Sequence, residues 1–258
     1  MTEQIYSESF YAEMSDGSRA SARLVVPIIQ ALFSPRSVVD VGCGLGAWLA
    51  EFRRNGVVDV VGLDGAWVRE DQLLIPRELF RSVDLSDSFA LDRRFDLALC
   101  LEVAEHVAAE HAPALVKRLT SLAPVVVFSA AIPFQNGANH VNEQWPSYWR
   151  TLFSECDYSV LDCLRPRLWN DANVEYWYAQ NMLVFMSPEA AQMRSNLGGI
   201  PAGTQSTMFD LVHPRAFLAA QAHNSYLENR LSAPPLAHSG GRLRTWLKKR
   251  FRRSSATV

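Results

Sequence analysis

The stretch VVDVGCGLGAW, residues 38–48, constrains the fold more than any other segment of this 258-residue chain. An apolar run carrying Asp40 ends just before three closely spaced glycines, Gly42, Gly44 and Gly46, and a helix-like segment follows them. A strand, a glycine-rich turn and a helix in this order open the parallel sheets of many α/β domains. The segment therefore predicts the first strand of such a sheet and a ligand-binding turn at its carboxyl end.

Short apolar runs alternate with helix-like segments along the rest of the chain, as in a parallel sheet covered by helices on both faces. We expect strands at residues 37–42, 57–64, 80–85, 95–103, 124–132, 158–164 and 181–186. Helices are expected at residues 46–56, 108–122 and 147–157. These elements predict one main α/β domain with a doubly wound, Rossmann-like sheet of seven strands.

Changes in composition predict the boundaries of that domain. We expect an N-terminal helical cap over residues 1–36, the main domain over 37–186, a C-terminal extension and linker over 187–241, and a basic tail over 242–258. Seven Lys and Arg residues lie between 242 and 253 among Leu, Trp and Phe, without an acidic residue. Such a tail is either a solvated segment or a short interfacial helix that gives peripheral contact with an anionic membrane.

Composition excludes several classes of protein. The net charge of -2 argues against a nucleic-acid binder, which needs a broad basic surface. The four cysteines form no C-x-x-C pair and no disulfide framework, so a reducing compartment fits best. The chain has no signal-like start and no apolar run near the ~20 residues that span a bilayer. We therefore expect a soluble, cytoplasmic protein of unknown oligomeric state.

The glycine loop by itself leaves two cofactors open. Gly42, Gly44 and Ala47 also satisfy the dinucleotide pattern G-x-G-x-x-G/A. Asp40 favours the other choice, because two unit charges a few Å apart interact by roughly 1 to 4 kcal/mol. A carboxylate there would repel a diphosphate and attract the ammonium and sulfonium groups of S-adenosylmethionine.

Acidic residues end the next two predicted strands. Asp64 with Gly65, in VVGLDG, is placed to accept hydrogen bonds from both ribose hydroxyl groups. Asp84, with the backbone of Leu85, could contact the adenine amino group. A purine nucleoside with a cationic tail therefore fits these strand ends better than a dinucleotide.

The segments VVDVGCGLGAW, VVGLDG, SVDL and FDLALCLEVAEHV resemble, in order and spacing, the motifs of class I S-adenosylmethionine-dependent methyltransferases, over about residues 37–186. The resemblance implies a sheet of order 3-2-1-4-5-7-6 with strand 7 antiparallel. It implies methionine, ribose and adenine contacts at successive strand ends, and a position facing cofactor or substrate after strand four. The predicted cofactor-binding residues are Asp40, Gly42, Cys43, Gly44, Gly46, Asp64, Gly65, Asp84, Leu85 and Glu102.

Two histidines are candidates to remove a proton from a methyl acceptor. His106 follows the fourth strand, and His140 lies in the loop after the fifth, together with Glu143. A hydroxyl acceptor must lose a proton, and a positioned general base typically contributes about 10²- to 10⁴-fold. We therefore predict His140, His106 and Glu143 as the catalytic set for O-methylation. The wider sequence resembles a bacterial subgroup often associated with glycan assembly, so a sugar, a glycan or another small hydroxylated metabolite is the expected acceptor.

Other interpretations of these segments remain. The cluster Asn139, His140, Asn142 and Glu143 contains hard ligands, but ligands so close in sequence rarely complete a metal site, and we predict hydrogen bonding there and no metal. Arg165 and Arg167 are either substrate-pairing or ordinary surface arginines. An NAD-dependent oxidoreductase and a non-catalytic S-adenosylmethionine-binding module of a biosynthetic complex are the alternative functions.

Overall fold

The computed structural model describes residues 8–85, 91–196 and 208–232. Its strands are β1 (Ser37–Val41), β2 (Asp59–Asp64), β3 (Phe80–Ser82), β4 (Leu97–Leu101), β5 (Val125–Ser129), β6 (Ser159–Leu161) and β7 (Leu183–Met186). Its α-helices are α1 (Glu8–Phe33), α2 (Ala47–Arg54), α3 (Ala112–Leu122), α4 (Pro146–Ser154), α5 (Arg165–Leu168), α6 (Tyr176–Asn181), α7 (Pro188–Asn196) and α8 (Pro214–Ser232). Short 3-10 turns cover Glu70–Gln72, Arg77–Leu79, Ala104–His106 and Ala109–His111.

The seven strands form one sheet of order β3-β2-β1-β4-β5-β7-β6, and β7 runs antiparallel to both β5 and β6. This confirms the predicted fold class. In β1, Asp40 is in register with Gly62 of β2 and Leu99 of β4. The strand order reverses direction between β1 and β4, and ligands of open α/β sheets bind beyond the carboxyl ends of the strands at such a point.

Alternate residues of the central strands bury their side chains on opposite faces of the sheet. Val38 belongs to a core cluster that also contains Leu49 and Phe52 of α2. Val39, the next residue, belongs to a second cluster, which includes Leu115 of α3. Because both faces are covered, the strands are apolar almost throughout, as is typical of a parallel sheet.

Several element boundaries differ from the sequence prediction. The third strand was predicted to end at Leu85 but ends at Ser82, so Asp84 and Leu85 lie in the segment that follows it. The helix predicted over 108–122 begins at Ala112, after a 3-10 turn, because Pro113 occupies the first turn of the helix. His106 and His111 therefore lie in the two 3-10 turns between β4 and α3.

The chain divides into two compact units, residues 1–217 and 218–258. The predicted extension contains α7 and α8, which the sequence analysis did not identify as helices. The basic tail, residues 242–258, lies outside the described residues, and its membrane contact stays a prediction. Among the helices that the structure describes, none is long and apolar enough to cross a membrane.

Candidate active site

The first three backbone N–H groups of the glycine loop after β1 donate hydrogen bonds to acceptors within the protein. The N–H groups of Gly42 and Cys43 donate to the carbonyl of Leu63, at 2.7 and 3.1 Å. The N–H of Gly44 donates to the Asp64 carboxylate at 2.6 Å. Since these three amides have acceptors inside the protein, they do not form the amide cradle that binds a diphosphate.

Gly42 is required for the shape of this loop. Its φ of +84° lies in the left-handed region, and a Cβ atom there would come within 2.2 Å of Cγ2 of Val103. Gly44 also has positive φ, but a Cβ there would meet nothing within 4 Å. The loop is therefore packed against the turn after β4 at Gly42 and open at Gly44.

Asp40 lies at the centre of the carboxyl edge of the sheet. Its side chain is 2% exposed, and its Oδ2 has no hydrogen-bond partner among the described residues. Burial, with a smaller contribution from Asp64, raises the pKa of Asp40 to about 7. A buried carboxylate without a partner is costly, and a cationic ligand would offset that cost.

Asp64 ends β2 with both carboxylate oxygens engaged. Oδ2 accepts from Gly44 N and Oδ1 from Gly65 N, each at 2.6 Å. Burial raises the pKa of Asp64, while hydrogen bonds from these amides and from Trp67 oppose the rise. Each carboxylate oxygen has a second lone pair, so the group retains the capacity to accept from ribose hydroxyls.

The predicted adenine contacts lie beside the end of the short third strand. Asp84 is exposed and Leu85 is 7% exposed. The Leu85 carbonyl accepts a hydrogen bond from the Arg118 guanidinium at 3.2 Å. The structure therefore places both residues at the same edge of the sheet as Asp40 and Asp64.

Glu102 follows β4 in the left-handed region, with a φ of +55°. Its carboxylate accepts hydrogen bonds from Gln135 Nε2 at 2.9 Å and from Asn181 Nδ2 at 3.2 Å. Burial raises the pKa of Glu102 above its ordinary value, and these two hydrogen bonds oppose the rise. The sequence analysis did not identify Gln135 or Asn181, because a carboxamide in a loop or at a helix end has no distinctive pattern.

The loop between β5 and α4 is fixed against the 3-10 turn after β4. The N–H groups of Val141 and Asn142 both donate to the carbonyl of Glu105, at 2.9 and 3.0 Å. This pair of hydrogen bonds brings two distant histidines together: the ring centroids of His106 and His140 lie 4.9 Å apart. The structure thus places both predicted bases in one cluster.

Each of the two imidazoles is oriented through its Nδ1 atom. Nδ1 of His140 lies 2.8 Å from Oε1 of Glu143, and Nδ1 of His106 lies 3.3 Å from the carbonyl oxygen of Asn139. A carboxylate and a carbonyl only accept hydrogen bonds, so both Nδ1 atoms donate and the neutral rings carry their lone pairs on Nε2. Burial, and then the neighbouring His140, lower the pKa of His106, which favours its neutral form.

Glu105 is a site residue that the sequence analysis missed. Its side chain is 1% exposed, and its Oε2 has no hydrogen-bond partner among the described residues. Burial, followed by the charge of Glu102, raises the pKa of Glu105 well above its usual range. An acidic residue beside His106 in the apolar stretch EVAEHV was the available signal.

Arg165 is neither a substrate-pairing nor a surface arginine, so both interpretations of it are wrong. Its guanidinium is buried, pairs with both oxygens of Asp162 at 3.0 and 2.6 Å, and donates to the Phe209 carbonyl at 2.7 Å. All of its strong contacts lie within the protein. Arg167 donates to the carbonyl of Cys163.

The whole arrangement is a row of acidic groups at the carboxyl edge of β1, β2 and β4, beside a pair of oriented imidazoles. A family model described as "Methyltransferase domain" matches residues 14–164. The chain belongs to this methyltransferase family. It is therefore a methyl-transferring enzyme, and the domain implies S-adenosylmethionine as its cofactor.

Solved structures of similar fold include three methyltransferases. The sugar N-methyltransferase KedS8 of Streptoalloteichus sp ATCC 53650 aligns with a TM-score of 0.53 and 16% identity over 72% of this chain and 97% of its own. The amino pentose methyltransferase CalS10 of Micromonospora echinaspora gives a TM-score of 0.50 and 16% identity, over 72% and 99%.

The magnesium protoporphyrin IX methyltransferase of Synechocystis PCC 6803, whose structure contains bound S-adenosylmethionine, gives a TM-score of 0.50 and 19% identity. That alignment covers 66% of this chain and 80% of the Synechocystis protein. No sequence among the curated proteins matches this chain. At these identities the structural likeness supports the fold, and the family match supports methyl transfer.

The methyltransferase's own residues fit the cofactor. The buried, unpartnered oxygen of Asp40 suits a cationic group, and the open side of Gly44 leaves room for a ligand beside the loop. Asp64 and Asp84 lie at the next strand ends, in the order that a methionine, a ribose and an adenine would require. The family assignment does not support the alternative of an NAD-dependent oxidoreductase.

Proposed function

We propose that this methyltransferase methylates a hydroxyl oxygen of a sugar, a glycan or another small hydroxylated metabolite. The observation that carries the proposal is the hydrogen bond between His140 and Glu143, beside His106. It fixes the imidazole ring of His140 at the carboxyl edge of β4 and β5, with Nε2 opposite the carboxylate. Because an amine acceptor can react from its neutral form, an oriented base of this kind has most to contribute when the acceptor is a hydroxyl.

For cofactor binding we propose the following roles. The carboxylate of Asp40 faces the cationic methionine end, beside Gly42, Cys43, Gly44 and Gly46. Asp64 and Gly65 contact the ribose, Asp84 and Leu85 contact the adenine, and Glu102 limits the cleft on the acceptor side. When bound, S-adenosylmethionine supplies a methyl group on a sulfonium leaving group, so the protein's main task is to hold the acceptor oxygen in line with that methyl.

We propose that His140 accepts the hydroxyl proton through Nε2. Glu143 orients the ring and stabilises the positive charge that the ring acquires, as carboxylates do for catalytic imidazoles. His106 lies against the same ring and is the second candidate to contact the acceptor. The half-buried carboxamide of Gln135, held on Glu102, is a further polar group for a polyhydroxylated acceptor.

The acceptor class is supported by the oriented base in the site and by structural likeness to two methyltransferases that act on sugars. KedS8 and CalS10 are described as a sugar N-methyltransferase and an amino pentose methyltransferase, so this fold accommodates sugars in those proteins. A membrane-associated, lipid-linked glycan would also suit the basic segment at residues 242–253.

The test is methyl transfer to a panel of acceptors in the presence of S-adenosylmethionine. The panel contains nucleotide sugars, free and lipid-linked saccharides, phenols and matched amino sugars. We expect S-adenosylhomocysteine release and a methyl ether product with at least one hydroxyl acceptor. Product formation only from the amino sugars would contradict O-methylation, and cofactor binding without turnover on any acceptor would favour the non-catalytic module.

A further inference from the structure

Three metal-ligating side chains meet at the carboxyl edge of β4 and β5. Glu105 and His106 lie in the 3-10 turn after β4, and His140 lies in the loop after β5. One ligand atom from each lies within 4.8 Å of the other two. Ligands of a single transition-metal ion at about 2.1 Å are at most about 4.2 Å apart, so a cation would need to draw these atoms together only slightly.

The two imidazoles are held in the way that metal-binding histidines are held. A ligating histidine usually donates its second ring N–H to a carboxylate or a backbone carbonyl, which fixes the ring and leaves the other nitrogen for the metal. His140 donates from Nδ1 to Glu143, and His106 donates from Nδ1 to the carbonyl of Asn139. Both neutral rings therefore direct an Nε2 lone pair away from these anchors.

Glu105 supplies the independent observation. It is 1% exposed, yet its Oε2 has no hydrogen-bond partner among the described residues. A buried carboxylate oxygen without a donor is costly, and buried charges are normally paired or bound to a metal. The three catalytic residues of the proposed function give Glu105 no role, whereas a cation in the cluster would bind its buried carboxylate.

Gly137 packs closely against the imidazole of His140. A Cβ atom at position 137 would lie 2.1 Å from Nε2 of His140. Any side chain there would push the imidazole away from its present position, so a glycine at this point permits the placement of His140 beside His106.

From these contacts we propose that Glu105, His106 and His140 bind a divalent first-row transition-metal cation such as Mn²⁺, Fe²⁺, Co²⁺ or Zn²⁺. Two imidazoles and one carboxylate suit these ions, whereas Mg²⁺ and Ca²⁺ prefer sites made of oxygen ligands. Three protein ligands leave open coordination positions. This proposal departs from the sequence-based expectation of no metal, which considered only ligands within one loop.

The catalytic consequence rests on the proposed O-methylation. A divalent cation with an open position would bind the acceptor hydroxyl and lower its pKa by several units, so that solvent water could take the proton in place of a strong base. His140 accepts the proton in the cation-free protein and holds the cation in the loaded protein. The Nε2 lone pair of His140 cannot accept a proton and bind a cation at the same time. Turnover that depends on added metal therefore indicates the ligand role, and turnover without metal indicates the base role.

Binding is tested first, because it requires neither the cofactor nor the acceptor. Full-length, untagged protein is treated with a chelator, dialysed, and titrated with Co²⁺ alone, by calorimetry and by the visible absorption of the bound ion. We expect one Co²⁺ per chain, displaced by Zn²⁺ but not by equal concentrations of Mg²⁺ or Ca²⁺. Absence of binding, or equally strong binding of Mg²⁺, would overturn the proposal.

The chain provides its own matched controls, since the tripeptide Ala-Glu-His occurs twice, at 104–106 and at 109–111. The second copy also forms a 3-10 turn, but none of its residues is buried. We expect E105Q and H106A to weaken Co²⁺ binding at least about ten-fold. E110Q and H111A should bind like the wild type. Equal losses in both copies would assign the binding to general surface effects and overturn the site.

Turnover then separates this inference from the proposed function. With an active acceptor, the chelated enzyme should lose most of its activity and regain it with Mn²⁺ or Co²⁺. Metal binding with unchanged turnover would overturn the catalytic role of the cation and leave His140 as the base. Metal binding without turnover on any hydroxyl acceptor would instead overturn O-methylation and leave the site intact.

Discussion

The imidazole of His140 is fixed by Glu143, whose Oε1 lies 2.8 Å from Nδ1. The other oxygen of Glu143 accepts a hydrogen bond from the backbone N–H of Phe134 at 2.7 Å. The loop therefore fixes the carboxylate, and the carboxylate fixes the ring. Both proposed uses of His140, as proton acceptor and as cation ligand, depend on this orientation.

Substitution of Glu143 by glutamine is expected to lower kcat by about 10- to 100-fold. The glutamine amide can donate to Nδ1, which would favour the ring tautomer that carries its proton on Nε2. H140A should lower kcat further, by about 10²- to 10⁴-fold. The measurement is S-adenosylhomocysteine release at saturating acceptor, with cofactor affinity determined by calorimetry.

The exposed Glu155 provides the control, because E155Q removes a surface carboxylate from the end of the neighbouring helix α4. It should turn over like the wild type. Cofactor affinity should stay unchanged in all three variants, since none alters the edge of β1 or β2. Full turnover in both E143Q and H140A would remove the pair from the mechanism.

The second prediction concerns the pH dependence of cofactor binding. Burial, with the charge of Asp64, raises the pKa of Asp40 to about 7. The ammonium of the cofactor is attracted by the ionised carboxylate, whose fraction grows as the pH rises through 7. The Kd for S-adenosylmethionine should therefore fall by up to about ten-fold between pH 6 and pH 8.

Two comparisons test whether Asp40 is the cause. D40N should bind S-adenosylmethionine more weakly and with a flat pH profile over the same range. Methylthioadenosine, which keeps the nucleoside but lacks the ammonium group, should bind the wild type with little pH dependence. A steep profile in D40N would assign the titration to another group.

The main features of the fold follow from the sequence because they depend on local patterns. Buried parallel strands are apolar throughout, so β1, β4 and β5 are recognisable, and the glycines after β1 identify the ligand-binding edge. The helical extension, α7 and α8, was missed because its apolar residues show little helical periodicity.

The acceptor side of the site depends on contacts that no local pattern encodes. Two backbone hydrogen bonds to the carbonyl of Glu105 bring His140 beside His106. The same packing buries the Glu105 carboxylate, which brings a residue type that is normally exposed into the site. Neither alternative left open for Arg165 included burial, since a sequence does not show which arginines are buried with a partner.

The third prediction concerns the backbone at Gly42. Alanine there combines a left-handed φ of +84° with a Cβ only 2.2 Å from Val103. We expect G42A to lose about 2 to 4 kcal/mol of unfolding free energy and to bind S-adenosylmethionine at least ten-fold more weakly. Urea denaturation and calorimetry measure the two effects.

Gly56 is the matched control, because its φ is +96° but a Cβ there would meet nothing within 4 Å. G56A should therefore show only the backbone strain, about 1 to 2 kcal/mol, with unchanged cofactor affinity. If the two variants were equally destabilised and bound the cofactor equally well, the contact between Gly42 and Val103 would have no role in shaping the loop.

The last prediction separates structural arginines from substrate-binding ones. Arg165 is 1% exposed and pairs with Asp162, which is 5% exposed. D162N leaves the guanidinium buried without its negative partner, so the free energy of unfolding should fall by about 3 to 5 kcal/mol. The double variant D162L/R165M removes both charges and should be less destabilised than D162N alone.

Urea denaturation measures the stability of both variants, and acceptor KM is measured at a temperature where D162N remains folded. A KM for D162N equal to that of the wild type is expected, whereas wild-type stability with a raised KM would return Arg165 to the acceptor site.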